Sequence, residues 1–342
     1  MRKWLIALAL GCTAALTAAQ GQQQQQEKTL YYTNDQTVAV TPAAGPQVNR
    51  SWNPYLTADF IWWTVREDGL FHAVTGVAAN PSKGRVHDID VDWEPGFKVG
   101  LGFNLPHDGW DVFANYTWIK SSVSGSKSTD AGDMISYWSI GGAPLTGITN
   151  SRASWDITFH NLNFEIGRNC YLSQFLKLRL FAGVQAAWIY QDYDVRQVVA
   201  ADDSIDRLRL DQDFWGAGIR AGLNTAWQFT QNWSIYADLA LAILYGEFDL
   251  DRRDSNQPQG GVETTSIHTG VDPMTFEPTV GVGAGLRWET WFGSNNYHIL
   301  FQLGWEQQIW ILQNEFIKVP TETDHVGDLV LQGLTLKGRF DF

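Results

Sequence analysis

The chain of 342 residues has few cysteines, few charged residues and, beyond its N-terminus, no long apolar run. Its two cysteines are Cys12 and Cys170, so removal of an N-terminal signal peptide leaves one thiol and no intramolecular disulfide. Charged residues make up 18 % of the chain, and the mean hydropathy is -0.21. Because no uninterrupted apolar stretch of roughly 18 residues follows the N-terminus, a polytopic helical membrane protein is excluded.

Basic residues are also scarce, with 24 Lys and Arg against 37 Asp and Glu and a net charge of -13. A nucleic-acid partner is excluded, because no basic stripe is present to displace counterions from phosphates. Aromatic residues and glycine are abundant instead, with 17 Trp, 18 Phe, 11 Tyr and 32 Gly. A hydrophobic share of 44 % excludes a disordered chain, so the spacing of the apolar residues decides the fold class.

The N-terminus has the pattern of a secretory signal peptide. A basic pair precedes an apolar stretch that ends in the small residues Thr17-Ala18-Ala19, which predicts a signal peptide over 1–19 and export by the Sec pathway. A lipoprotein signal built on Cys12 is disfavoured, because it shortens the apolar stretch. Residues 20–50 are rich in Gln and predict a flexible periplasmic segment, and 51–342 form the remaining domain.

Apolar and polar residues alternate strictly along most of this domain. Between Phe97 and Leu105, every second residue is apolar and its neighbours are small or polar, which is typical of a β-strand. One face of such a strand is able to lie in lipid while the other stays polar. Ten segments show the pattern: 54–65, 97–105, 110–120, 153–168, 176–190, 215–224, 233–245, 280–289, 297–306 and 334–342.

The connections between these segments alternate in length, which favours a membrane barrel over a soluble sandwich. Tight turns alternate with long polar loops at about 66–90, 121–152, 192–212, 246–277 and 312–328. We therefore predict an all-β protein, a transmembrane up-and-down antiparallel β-barrel of about ten strands with short periplasmic turns and long extracellular loops. Twelve strands is the second choice, since 66–90 and 121–152 each have room for a further hairpin.

Two details refine the barrel prediction. Trp155, Ile157 and Phe159 have the opposite parity to Leu162, Phe164 and Ile166, which predicts a bulge or a strand that leaves the membrane partway. Trp215 and Trp227 lie twelve positions apart, as do Trp233 and Tyr245. At ~3.4 Å per residue and a tilt near 45° they span roughly 29 Å, which fits two aromatic belts on either side of an apolar band.

Specific motifs point to a family. The segments Trp52-Asn53-Pro54-Tyr55, Gly96-Phe97-Lys98-Val99-Gly100 and His107-Asp108-Gly109-Trp110-Asp111 resemble the Legionella-type pore-forming outer-membrane protein family, and the likeness runs over about 51–342. Related proteins of chlamydia-like bacteria that are similar to the major outer-membrane porin share the layout. The resemblance implies a channel for small solutes, and also a surface antigen or adhesin. The cysteine-poor chain departs from the cross-linked chlamydial porins.

If the polar residues of each alternating strand face inward, basic and acidic side chains balance in the predicted lumen. Opposite charges on neighbouring strands are able to pair, and Glu165 and Lys177 are expected to lie nearly opposite each other. Such charges serve either to brace a narrow barrel or to select ions, and inward Phe181, Ile189 and Leu300 help to close the bore. The predicted pore-lining charges are Lys98, Lys177, Arg179, Arg220, Arg287, Lys337 and Arg339 with Asp59, Asp111, Glu165, Asp238, Glu289, Glu306 and Asp341.

The loops predict weak ion selectivity and no cofactor. Asp192, Asp211 and Asp213 belong to an acidic stretch, and an acidic mouth concentrates cations, so we predict a weak cation preference. No motif predicts a cofactor, a metal or a catalytic residue. Four histidines lie in predicted external loops near acids, but loop position alone does not make them catalytic, and an enzyme is disfavoured: His72, His87, His268 and His325.

The final strand resembles the C-terminal assembly signal of bacterial outer-membrane proteins. Its alternating positions are Leu334, Leu336, Gly338, Phe340 and Phe342. The expected partners are outer-membrane lipid, the barrel assembly machinery, small solutes and ions, and a host-cell surface. The sequence thus predicts a porin-like pore in the outer membrane of a Gram-negative bacterium. The alternatives are an adhesive or structural barrel with a plugged lumen and, less favoured, a barrel enzyme.

Overall fold

The computed structural model describes residues 45–46, 48, 53–76, 84–105, 108–130, 132–136, 138, 145–316 and 327–342. The predicted signal peptide and nearly all of the Gln-rich segment lie outside the described residues, as do Trp52, His107 and His325. Within the described ranges, no helix has the length and apolarity needed to cross a membrane.

The described part of the chain folds into one sheet of fourteen strands. The strands are β1 (Asn53–Glu67), β2 (Ala73–Thr75), β3 (Arg85–His87), β4 (Trp93–Asn104), β5 (Trp110–Ser128), β6 (Met134–Ser136), β7 (Leu145–Tyr171), β8 (Leu176–Val199), β9 (Ile205–Gln228), β10 (Trp233–Gln257), β11 (Thr264–Val271), β12 (Met274–Phe292), β13 (Tyr297–Asn314) and β14 (Gly327–Asp341).

Ten of these strands close into a ring. The order is β1-β4-β5-β7-β8-β9-β10-β12-β13-β14, each pair is antiparallel, and β14 pairs back onto β1 through contacts such as Asp59 opposite Lys337. The predicted ten-stranded up-and-down barrel is confirmed. The alternative of twelve strands is wrong, because the β2–β3 hairpin inside 66–90 pairs with β6 and lies outside the ring. Likewise, β11 pairs with β10 alone.

Four short connections lie at one end of the ring, which we call the turn end; the other is the loop end. The connections at 105–109, 172–175, 229–232 and 293–296 are all at the turn end. The last of them reverses the chain through Ser294 and Asn295, whose φ angles are 57° and 63°. The turn end is the predicted periplasmic side.

The strands run much further towards the loop end than the sequence predicts. The predicted loop 192–212 is mostly strand, since β8 ends at Val199 and β9 begins at Ile205. In the same way, β10 continues to Gln257 inside the predicted loop 246–277. Above the membrane an outward residue no longer has to be apolar, so backbone pairing continues where the lipid-facing pattern stops.

Strand β7 contains no bulge in its membrane part, so of the two predicted alternatives the bulge is wrong, and the strand that continues beyond the membrane agrees with the structure. Its register against β8 is unbroken from Asn150 to Tyr171. Leu162, Phe164 and Ile166 are 43–45 % exposed on the outer wall, whereas Trp155 is fully buried on the inner side. The change of parity therefore marks the level at which the inner face, rather than the outer face, becomes apolar.

The outer wall has aromatic belts at both rims of an apolar band. On β9, Trp227 is 62 % exposed near the turn end and Trp215 is 50 % exposed nearer the loop end. On β10 the corresponding pair is Trp233 and Tyr245, and exposed aliphatic residues such as Leu241 lie between them. We call the row near the loop end, which includes Trp215 and Tyr245, the outer belt. This wall has the distribution expected for a surface in lipid.

Candidate functional site: the barrel lumen

The turn-end half of the lumen is a polar cavity of ≈ 230 Å³. Asp111 and Asp341 are buried beside it and bind lining arginines. The other twelve predicted lumen charges lie in its lining: Asp59, Lys98, Glu165, Lys177, Arg179, Arg220, Asp238, Arg287, Glu289, Glu306, Lys337 and Arg339.

Arg179 is the centre of the largest ionic cluster. Its guanidinium donates to Asp111 on β5 at 2.6 Å, to Glu165 on β7 at 3.0 Å and to Asn224 on β9 at 3.0 Å. Arg220 on β9 donates to the other oxygen of Glu165 at 3.2 Å. One arginine thereby ties four neighbouring strands together from the inside.

Two further ion pairs reach across larger arcs of the wall. Lys177 on β8 donates to Glu289 on β12 at 3.1 Å, a separation of three strands in the ring. Lys98 on β4 binds Glu306 on β13, again three strands away. The expected proximity of Glu165 and Lys177 is wrong. Glu165 lies opposite Gly183, and the long lysine side chain extends into the bore rather than along the wall.

The remaining charges complete the lining near the seam between β1 and β14. Arg339 donates to Asp341 at 2.6 Å, and Lys337 lies opposite Asp59 in the strand register. On the facing side, Asp238 accepts from Asn224 at 2.9 Å, and Arg287 stacks 5.8 Å from the ring centre of Tyr236. Cationic and acidic side chains therefore alternate around the cavity without a region of one sign.

Aromatic rings that the sequence analysis did not place in the lumen share this cavity. Tyr55 stacks on Phe113 at 5.6 Å between ring centres, and the guanidinium of Arg339 lies 3.6 Å from the centre of Tyr55. Glycine is required at position 102, since a Cβ atom there would lie 2.1 Å from the Tyr55 ring. The sequence signal for this aromatic lining was Tyr55, which ends the motif Trp52-Asn53-Pro54-Tyr55 and lies at an inward-facing position of its strand.

The loop-end half of the lumen is filled by an apolar layer. Phe159 on β7 and Trp310 on β13 make an edge-to-face contact, with ring centres 5.4 Å apart. These strands are five steps apart in either direction around the ring, so the contact spans the bore. We call these two residues and the buried inward side chains around them the plug: Ile61, Trp63, Trp155, Ile157, Ile189, Leu210, Phe214, Leu244 and Phe248.

Connecting segments at the loop end cover the plug. Leu70 is fully buried in it, and its carbonyl accepts from the Tyr193 hydroxyl at 2.8 Å. Phe316 stacks on Tyr193 at 5.9 Å, and the Trp138 indole donates to the carbonyl of Phe71 at 2.7 Å. Three separate connections thus contribute side chains or backbone to the closure.

The predicted closing residues divide between the two halves. Ile189 is fully buried within the plug. Phe181 lies in the polar cavity beneath the guanidinium groups of Arg179 and Arg220, at 5.3 and 5.6 Å. Leu300 also lines the cavity. Ile189 is therefore placed to close the bore, whereas Phe181 supports the ionic cluster.

Several buried polar atoms beside the plug have no hydrogen-bond partner, and others lie along the turn-end half of the lumen. In the described part of the chain, both carboxyl oxygens of Glu67, Oε1 of Glu277, both amide atoms of Gln313 and Nε1 of Trp310 are buried without a hydrogen bond. Glu67 and Trp310 lie in one cross-strand row, each opposite Leu329 on β14. Buried groups of this kind are normally satisfied by water or by a ligand.

The loop histidines have nearby partners. Nδ1 of the buried His72 lies 2.9 Å from Oγ of Ser151. Nε2 of His87 lies 3.0 Å from the Thr75 hydroxyl, and Nε2 of His268 lies 2.9 Å from Asp251. Among the described residues, no group of three or more His, Cys, Asp and Glu side chains is arranged to hold a metal ion.

Acidification is expected to loosen the cover over the plug. Burial lowers the pKa of His72 from 6.5 to about 4. Between about pH 6.5 and 4 the unfolded segment takes up a proton that the folded segment excludes, so the stability present above pH 6.5 is lost as the pH falls. The protection factors of amides 70–76, which correct for the intrinsic pH dependence of hydrogen exchange, are expected to fall over this window and to stay constant in His72→Gln. The same fall in that variant contradicts the assignment to His72.

Three of the acidic residues expected at the mouth lie elsewhere. Asp192, Asp211 and Asp213 are exposed on the outer wall, while their neighbours Gln191 and Gln212 point inward and are buried. The strands continue through this region and alternation sends these three aspartates outward, whereas Asp202 and Asp203 of the same stretch remain exposed in the β8–β9 connection at the loop end.

Several solved structures are similar to this chain over most of its length. The outer membrane protease OmpT from Escherichia coli is 10 % identical over 86 % of this chain and 99 % of its own, with a TM-score of 0.46. A major outer membrane protein from Thermus thermophilus is 13 % identical over 86 % and 100 %, with a TM-score of 0.31. The toluene transporter TodX from P. putida is 9 % identical over 85 % and 90 %, with a TM-score of 0.34.

At these scores the structural likenesses carry no argument about activity. No curated protein sequence matches the chain. The family model described as "Legionella pneumophila major outer membrane protein precursor" matches residues 44–342, which include every strand of the barrel. The chain therefore belongs to the Legionella major outer membrane protein family.

Proposed function

We propose that the protein is an outer-membrane pore for the passive diffusion of small solutes and ions, and that the described conformation is its closed state. The observation that carries the proposal is the polar cavity, which occupies the turn-end half of the lumen and ends at the plug. Ion pairs that brace the wall account for the balanced charges, and the open volume that these charges surround is the feature that a pore requires. The plug then acts as the gate, and diffusion requires its side chains to separate.

The gate has features that suit opening. Trp310 belongs to the plug and also carries an unpartnered indole nitrogen, and Glu67 and Gln313 lie nearby with buried polar atoms that lack partners. Such atoms gain hydrogen bonds when water enters, which offsets part of the cost of separating apolar side chains. Because Leu70 and Phe316 belong to connections rather than ring strands, their displacement leaves the barrel hydrogen bonds intact.

A liposome swelling assay tests the proposal. The refolded protein is expected to admit a small neutral sugar at a measurable rate, while a sugar too large for a narrow ten-stranded bore is excluded. Liposomes that contain heat-unfolded protein serve as the control for leakage. Correctly inserted protein that admits no solute contradicts the proposal.

We further propose a weak cation preference. The ionic groups of the cavity balance, but Glu67 and Glu277 add inward carboxyl groups that have no cationic partner among the described residues and that ionise when the gate opens and water reaches them. In a salt gradient, the reversal potential is expected to have the sign of a cation-preferring pore and to approach zero as the salt concentration rises. Glu67→Gln/Glu277→Gln is expected to abolish the preference. An anion-preferring reversal potential contradicts it.

A second candidate function is an adhesive or structural barrel, which the contact of Phe159 with Trp310 across the bore favours. It predicts a protein that inserts and stays impermeable while deletion of loop-end segments abolishes binding to host cells. We propose no enzymatic activity. His72, His87 and His268 lie close to Ser151, Thr75 and Asp251, and these pairs hold local loop structure.

Export and assembly complete the proposal. We propose that 1–19 direct Sec export and that the last strand is the segment which the barrel assembly machinery binds. Leu334, Leu336 and Phe340 are exposed on the outer face of β14, and Phe340 contacts Tyr297 and Phe342 at 5.9 and 5.8 Å. Gly338 and Phe342 are half-buried at the same edge.

A further inference from the structure

The outer wall beyond the outer belt carries two bands of opposite charge on β7, β8, β9 and β10. The first, which we call the acidic band, includes one aspartate from each strand in a single cross-strand row: Asp156, Asp192, Asp211 and Asp251. The second, which we call the arginine band, lies further towards the loop end: Arg152, Arg196, Arg207, Arg209 and Arg253.

The protein neutralises the arginine band only in part. Asp194 binds Arg207 at 3.2 Å and Arg209 at 3.4 Å, and Glu263 lies 3.9 Å from Arg209. Arg152, Arg196 and Arg253 are exposed and have no ion pair within the described ranges.

Arginines of the band face each other directly on neighbouring strands, which makes the arginine band unfavourable in the isolated protein. Arg152 lies opposite Arg196, and Arg196 lies opposite Arg207. Like charges directly opposite each other on adjacent strands destabilise a sheet. An anionic group that binds two neighbouring guanidinium groups removes the repulsion and forms charge-assisted, bidentate hydrogen bonds.

The height of the band above the membrane restricts its ligand. On β9, Arg209 and Arg207 lie six and eight residues beyond Trp215 of the outer belt. At ~3.4 Å per residue and a tilt near 45°, they lie roughly 14 to 19 Å above the belt. The headgroup layer of an ordinary bilayer is only about 5–8 Å thick on each side, so phospholipid phosphates do not reach that level. The acidic band lies between those phosphates and the arginine band and repels them, since Asp211 is four residues beyond Trp215 and so roughly 10 Å above the belt.

We propose that the arginine band binds the anionic saccharide head group of an outer-leaflet glycolipid, through phosphate or carboxylate groups that stand above the phospholipid headgroups. The proposal rests on the placement of the barrel in the outer membrane and not on conduction. The acidic band makes the surface selective, because a lipid whose negative charge lies at the bilayer surface is disfavoured. Arg152, Arg196 and Arg207 supply the central contacts, with Arg209 and Arg253 at the edge of the band.

The test measures binding of purified lipopolysaccharide with a phosphorylated inner core to the refolded full chain in neutral detergent. The triple variant Arg152→Gln/Arg196→Gln/Arg207→Gln is expected to bind at least tenfold more weakly, with a smaller dependence of affinity on salt. Arg168→Gln is the matched control, since Arg168 lies on the outer face of β7 near the turn end and pairs with Asp108. Its affinity is expected to equal that of the unmodified protein.

Two further probes decide between sources of negative charge. Phosphatidylglycerol vesicles are expected to bind the unmodified protein and the triple variant equally, and heparin is expected to compete weakly. Unchanged lipopolysaccharide affinity in a folded, heat-modifiable triple variant overturns the proposal. So does an equal loss of affinity for phosphatidylglycerol, which indicates a simple phospholipid contact. A loss of affinity for heparin alone indicates that the arginine band binds a sulfated glycan outside the cell. That result also overturns the proposal.

Discussion

Replacing Phe159 and Trp310 together by alanine is expected to convert the closed barrel into a permanently conducting one. The two rings meet across the bore, and their removal deletes the contact that joins opposite walls of the plug. The remaining cavity borders the unpartnered polar atoms of Glu67 and Gln313, so water is expected to fill it rather than leave it empty. Ion flux from loaded liposomes is expected to rise at least tenfold over the unmodified protein.

The control for this variant removes one aromatic ring of the plug without opening a path across the bore. Phe248 packs on Phe214 of the neighbouring strand with ring centres 4.6 Å apart, so Phe248→Ala leaves a cavity against one wall. Each large-to-small substitution in a core costs about 3–5 kcal/mol of stability, and heat modifiability on a gel shows whether the barrel has folded. A folded double variant that is no leakier than Phe248→Ala contradicts the gate.

The second large effect is expected on stability at Arg179. Arg179→Ala removes the cation shared by Asp111 and Glu165 and leaves buried carboxylates with fewer partners. Breaking a buried ion pair from one side costs about 3–5 kcal/mol. The temperature at which the barrel loses its heat-modifiable, compact form is expected to fall clearly.

Two comparisons separate this effect from simple loss of an arginine. The exposed pair of Arg168 with Asp108 predicts a change of about 0–1 kcal/mol for Arg168→Gln. The combination Arg179→Met/Asp111→Asn removes the cation together with its main carboxylate partner, leaves Glu165 paired with Arg220, and is expected to regain most of the stability. If Arg179→Ala is as stable as Arg168→Gln, the ionic cluster does not brace the barrel.

The membrane part of the fold could be predicted from the sequence because lipid imposes a strict rule on the outer face. Every second residue from Phe97 to Phe103 must be apolar there, and the same constraint gives all ten ring strands their pattern. Short turns at the turn end follow from their local residues. These features depend only on residues that are close together in the sequence, so a single sequence is enough to predict them.

The loop-end half of the barrel could not be predicted in the same way, because there the outer face is polar and the inner face is apolar. Asp192 and Asp211 on the outer wall meet water, whereas Tyr193 and Leu210 beside them fill the bore. A segment with aspartate at alternate positions has the composition of a loop, although it forms strand. The parity change at Phe159 and Leu162 was the signal of this reversal.

The ion pairs of the cavity depend on which strands face each other across the ring. The inward position of Lys177 and Glu289 follows from strand parity, but their contact joins β8 to β12. Likewise, Phe159 meets Trp310 only because five strand steps bring β7 and β13 to opposite sides of a narrow ring. Closure of the barrel determines these contacts, and local alternation contains no information about them.

Single-channel recording of the refolded protein in a planar bilayer tests the central claim most directly, that this family member is a pore closed by its plug. The account predicts discrete, reversible openings between a closed level and one main conductance level, with long closed intervals. Heat-modifiable protein that inserts and never opens, at any voltage or salt concentration, contradicts the account and leaves the structural or adhesive barrel as the function.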